Sequence, residues 1–100
     1  MNKQVARVEI KGELNIFTAA SLRQLLLDAF AAGTEVEVDL SQVSEMDSAG
    51  MQLLVAAKRE SALIGKPLRY TGHSPAVIDL IERCDLAGHL GDPVLIHPQA

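Results

Sequence analysis

The sequence predicts an α/β domain in which parallel strands are joined by helical crossovers. Three observations lead there. Segments with apolar residues at every second position alternate with segments at helical spacing. Their order is strand, helix, strand, helix, strand, helix, which is the order of parallel strands linked by right-handed connections. The composition is 48% apolar but only 3% aromatic, so the core is aliphatic, built from Leu, Val, Ile and Ala. A chain of 100 residues has the length of one domain, and residues 1–100 are expected to form it.

Each element has its own signal. Ala6, Val8 and Ile10 alternate with Arg7, Glu9 and Lys11 as in a half-buried strand, and Gly12 opens a turn. Thr18 stands where a helix N-cap belongs. Leu22, Leu25, Leu26, Ala29 and Phe30 then form one apolar stripe, closed by Gly33. Val36, Val38 and Leu40 alternate with Glu37 and Asp39 in a second strand, followed by a polar loop from Ser41 to about Asp47. The next helix runs from about Ser48 to Ile64, with Leu53, Leu54, Ala57 and Leu63 as inward candidates. Gly65-Lys66-Pro67 ends it by two devices, a glycine after the last turn and a proline that cannot continue the helix. Leu68–Thr71 reads as a short strand. Ser74-Pro75 pairs a cap with a proline at the first helical position, and Val77, Ile78, Ile81 and Cys84 mark the apolar face that follows. Val94-Leu95-Ile96 is a candidate last strand.

Several function classes are poorly served by this sequence. The formal net charge is −4 and there is no basic run, which argues against nucleic acid and anionic membranes as partners. Cys84 is the only cysteine, so neither an internal disulfide nor a multi-cysteine zinc site is expected. His73, His89 and His97 lack ligand spacing and read as loop or surface residues. No phosphate-binding glycine loop or dinucleotide fingerprint is present. A hydrolase built on Ser48, His73 and Asp47 would need a Gly-x-Ser-x-Gly elbow, but position 46 is Met. No catalytic residue, metal or cofactor is therefore expected. Met1-Asn2-Lys3-Gln4 leads into patterned sequence without an apolar leader, and no stretch is long enough to span a bilayer, so a cytoplasmic protein without membrane insertion is expected.

In parallel sheets the loops after the strands share one edge, where sites gather. Those loops are Gly12–Phe17, Ser41–Asp47 and Gly72–Ser74, and they are expected to form one surface. The most informative stretch is Ser44-Glu45-Met46-Asp47-Ser48-Ala49-Gly50, where a strand and loop lead to a serine at a helix start. Two readings of Ser48 are open. It is an N-cap, or it is a phosphoacceptor whose phosphate the helix N–H groups would tolerate while Glu45 and Asp47 crowd it with negative charge. Asp47 is itself a cap candidate. Met46 and Met51 read as core residues or as adaptable docking side chains.

The motifs Gly12-Glu13-Leu14, Val36-Glu37-Val38-Asp39-Leu40, Met46-Asp47-Ser48-Ala49-Gly50, Gly65-Lys66-Pro67-Leu68 and Ser74-Pro75-Ala76-Val77 together resemble the STAS domain family, of the bacterial anti-sigma factor antagonist type. The resemblance covers roughly residues 5 to 90. It implies a small, mixed but mostly parallel sheet of about four strands with three or more helices. It also implies Ser48 as phosphoacceptor for a serine kinase that is at once the binding partner and anti-sigma factor, with ATP and Mg²⁺ belonging to the kinase. Phosphorylation breaks the complex and a serine phosphatase restores it. The docking residues expected on this basis are Asn15, Glu45, Met46, Asp47, Ala49, Gly50, Met51, His73 and Ser74. Family members often carry Asp where this chain has Asn15. Some STAS proteins are instead constitutive cytoplasmic subunits of lipid-transport ABC complexes, which is the alternative reading.

Overall fold

The computed structural model describes residues 4–84. The elements are β1 (Val5–Leu14), α1 (Ala19–Ala32), β2 (Glu35–Met46), α2 (Ser48–Ile64), β3 (Leu68–Thr71) and α3 (Pro75–Cys84). The candidate strand at Val94–Ile96 and the Cys84 side chain lie outside the description. Among the described residues the sheet has three strands in the order β1-β2-β3, both pairs parallel. That matches the expected architecture, with three strands in place of about four.

Two right-handed crossovers made in the same direction place α1 and α2 on one face of such a sheet, and these two helices touch each other. The face they cover holds Ile10, Val36, Val38, Leu40, Leu68 and Tyr70, packed with Leu26, Phe30, Leu54 and Val55. Fully burying one such aliphatic side chain contributes about 1.5–3 kcal/mol. The opposite face carries charge. Arg7, Glu37 and Arg69 occupy one row across the three strands, and Glu37 bridges the other two at 3.6 and 3.1 Å. α3 packs against β2.

The second strand is longer than its sequence suggests. The polar stretch Ser41–Met46 continues β2 rather than forming a loop. Its alternation fails because β2 takes three steps from Asp39 to Gln42 against two from Glu9 to Lys11, and two from Val43 to Glu45 against one from Gly12 to Glu13. Each extra residue is a bulge that flips the side chains after it.

Two leucines predicted inward are solvent-exposed, Leu25 in part and Leu63 at 81%. Ser61 holds the inward position in the last turns of α2, its hydroxyl donating to the Lys58 carbonyl at 3.1 Å. Leu63, two residues on, falls about 200° around the helix. Gly65 ends α2 at φ 71°, in the left-handed region that glycine enters without strain.

Candidate functional site

The carboxyl ends of β1 and β2 meet at the paired residues Leu14 and Met46. β3 stops lower, where Thr71 pairs with Asp39. The three loops therefore do not share one level. Gly12–Phe17 and Ser44–Asp47 lie together. Gly72 sits beside Asp39 and Ser41 instead. α3 fills the space left at the upper level, and a groove of about 410 Å³ opens between Asn15, Ser44, Glu45, Met46 and Asp47 on one side and Ala76, Asp79, Leu80 and Arg83 on the other.

The head of α2 is built by Asp47. Its backbone is extended, with φ −112° and ψ −175°. Its Oδ1 accepts from the Gly50 N–H at 3.0 Å, which is an N-cap bond to the third helical residue. Its own N–H donates to the Leu14 carbonyl at 3.2 Å, tying the helix start to β1. Ser48 is thus the first helical residue and not the cap. Its side chain is exposed and its hydroxyl enters no hydrogen bond among the described residues.

Gly50 is buried against β1. A Cβ at this position would lie 2.3 Å from the Leu14 carbonyl oxygen and 2.8 Å from Leu14 Cγ. The glycine of the Asp-Ser-Ala-Gly element is therefore required by the close approach of helix and strand.

The first loop is equally ordered. The Asn15 Oδ1 accepts from the Phe17 N–H at 2.9 Å and from the Thr18 N–H at 3.2 Å, an Asx turn. Thr18 precedes α1 as expected but does not cap it with its side chain. Its hydroxyl closes the loop, donating to the Glu13 carbonyl at 2.9 Å and accepting from the Asn15 N–H at 3.0 Å. Both acceptor bonds of Asn15 use an oxygen that Asp would also supply, so Asn15 preserves this turn while removing a charge. The turn lifts Ile16 and Phe17 into solvent, at 68% and 90% exposure. Sequence reasoning points to this loop but not to its two apolar residues; an Ile-Phe pair between a strand and a helix cap was the available signal.

Four predicted docking residues are placed differently. Met51 is 1% exposed and belongs to the core, because it shares the inward face of α2 with Leu54 and Val55. Gly50 is itself buried and acts by packing. Ser74 is 4% exposed, and its hydroxyl accepts from the Val77 N–H at 3.3 Å, capping α3. His73 is half-buried, and neither it nor Ser74 lines the groove. Asn15, Glu45, Met46 and Asp47 do line it, and Ala49 is half-exposed beside Ser48. The residues of α3 around the groove escaped the sequence reading, although Asp79 and Arg83 sit four apart and pair at 2.6 Å.

The site is acidic. Glu13 and Glu45 stand side by side on adjacent strands, next to Asp47. Lower on β2, the Ser41 backbone N–H donates to Asp39 Oδ1 at 2.8 Å. That bond, with help from the Ser41 hydroxyl, holds the Asp39 carboxyl below its ordinary value of 3.8.

Fold and site together define a small α/β domain that presents an exposed serine at a helix head beside an acidic groove. The chain belongs to the STAS family described as Mlab, STAS domain, whose sequence profile matches residues 1–96. It is similar to the anti-sigma-B factor antagonist of Bacillus subtilis (strain 168), with 28% identity over 81 residues, which is 81% of this chain and 74% of that protein. An anti-sigma factor antagonist from Mycobacterium paratuberculosis has the same fold, with 25% identity and a TM-score of 0.76 over 95% of this chain and 82% of that one. SpoIIAA in its unphosphorylated form superposes with a TM-score of 0.69 at 21% identity over 95% of this chain and 84% of that one, a likeness of fold. Among the described residues no helix is long and apolar enough to cross a membrane.

Proposed function

We propose that this chain is a partner-switching protein of the anti-sigma factor antagonist type. Unphosphorylated, it binds a serine kinase that doubles as an anti-sigma factor; phosphorylated on Ser48, it is released, and a serine phosphatase resets it. The observation that carries this reading is the division of labour at the head of α2. Asp47 caps the helix, so the exposed Ser48 hydroxyl has no structural task. In the transfer, the kinase's base takes the hydroxyl proton, Ser48 Oγ attacks the γ-phosphorus of ATP, and ADP leaves. The phosphate adds about −1.5 to −2 charges beside Asp47 and Glu45. The helix N-terminus tolerates it, because the dipole and free N–H groups favour an anion there. The fold survives, while the bulk and charge of the phosphate change the surface on which the partner docks. The relatives named as anti-sigma factor antagonists support the same direction.

The test is intact-mass measurement on protein taken from its native cells, wild type beside Ser48→Ala. The reading expects one phosphate on the wild type and none on the variant, and a purified serine kinase from the same cells that transfers it with ATP and Mg²⁺. A wild type that stays unmodified through growth and stress would transfer the weight to a constitutive subunit, as in a lipid-transport ABC complex. A phosphate retained in the variant would move the switch to another residue.

A further inference from the structure

We infer that Ile16 and Phe17 form a preordered apolar anchor that enters a pocket with a basic rim on the partner. The inference rests on the partner-switching reading and adds to it the chemistry of the surface the partner must offer. Four observations support it.

Phe17 is one of only two phenylalanines in the chain. Phe30 lies in the core, whereas Phe17 is 90% exposed with Ile16 beside it. Leaving an aromatic ring in water forgoes burial that the fold uses elsewhere, and aromatic side chains are enriched where partners bind.

The backbone of the tip is held by hydrogen bonds on both sides of Ile16 and Phe17. Asn15 Oδ1 holds the Phe17 and Thr18 N–H groups, and the Thr18 hydroxyl bridges Glu13 and Asn15. Bonds of this kind lower the backbone ordering cost that binding would otherwise carry.

The tip borders the Ser48 site. Asn15, at its base, lines the groove together with Asp47, the residue before Ser48.

The charges around it are one-sided. Glu13 and Glu45 are neighbours across the β1–β2 ladder, and both are exposed. Glu13 also lies within 3.4 Å of the Asn15 amide. The guanidinium at the groove belongs to Arg83, which is paired with Asp79. Basic side chains from a partner would complement the carboxylates of Glu13 and Glu45.

The test uses the full chain and the purified serine kinase that phosphorylates Ser48 in the assay above, titrated calorimetrically without ATP. Phe17→Ala is expected to weaken binding by roughly 30-fold, the scale of a buried aromatic anchor. Its melting temperature should match that of the wild type, because the ring contributes little to the core. Glu45→Gln is expected to weaken binding chiefly at low salt and to leave the melting temperature unchanged. Leu63→Ala, an exposed leucine at the far end of α2, is the control and should bind normally. Protein carrying 4-fluorophenylalanine gives two ¹⁹F signals, and the kinase should move that of Phe17 while leaving that of Phe30. If Phe17→Ala binds as tightly as wild type, or its fluorine signal stays still, the anchor is refuted and the Ser48 reading stands. If the wild type binds no kinase, both fall together. A concentration-dependent dimer that Phe17→Ala dissolves would assign the surface to a second copy and overturn the inference.

Discussion

Replacing Gly50 by alanine tests how closely the head of α2 sits on β1. The added Cβ would come within 2.3 Å of the Leu14 carbonyl oxygen, against ordinary contact from 3.4 Å, so helix and strand must part by about 1 Å. The obstacle is backbone, and no side-chain rotation relieves it. Overpacking of this kind costs about 1–3 kcal/mol. The better helix propensity of alanine returns at most about 1 kcal/mol. A net loss of up to about 2 kcal/mol follows, which for a domain of this size lowers the melting temperature by up to roughly 15 °C. The displacement also strains the bond from the Asp47 N–H to the Leu14 carbonyl, now 3.2 Å, and with it the position of Ser48. Thermal and urea unfolding followed by far-UV circular dichroism give the stability. A Gly50→Ala protein that melts at or above the wild-type temperature would refute the close approach, and with it the packing role assigned to the glycine.

Two further predictions concern the carboxylates of β2 and α2. Asp47→Ala should lose about 1 kcal/mol with the cap, while Ser48→Ala stays within about 0.5 kcal/mol of wild type; equal losses in urea titrations would return the capping role to Ser48. Asp39 has its folded pKa depressed, so its contribution is complete above the unfolded value near 3.8 and is lost as pH falls through the lower folded value. Asp39→Asn should therefore flatten the fall in urea midpoint between pH 5 and the acid limit, and parallel curves for the two proteins would count against the Ser41 hydrogen bonds as the cause.

The order of the elements and most of their borders were legible in the sequence, because their signals are local, but β1 runs past Gly12 to Leu14 and β2 past Leu40 to Met46. Period, caps and breakers act within a turn or two, and they placed α2 from Ser48 to Ile64 and β3 at Leu68–Thr71. Local signals failed where a partner strand decides. The bulges between the pairings of Glu9 and Lys11 and of Gly12 and Glu13 broke the alternation of Ser41–Met46 and made a strand resemble a loop.

The same division runs through the site. That an Asp-Ser pair heads a helix directly after a strand, with acidic residues around it, is readable along the chain. Which of the pair caps the helix, the contact of Gly50 with the Leu14 backbone, the inward turn of Met51 and the exposure of Phe17 emerge from the packed fold. Each of these depends on the distance between α2 and β1 or on the closure of a loop against Glu13. Such separations arise from packing between segments remote in sequence, and no pattern within one segment records them.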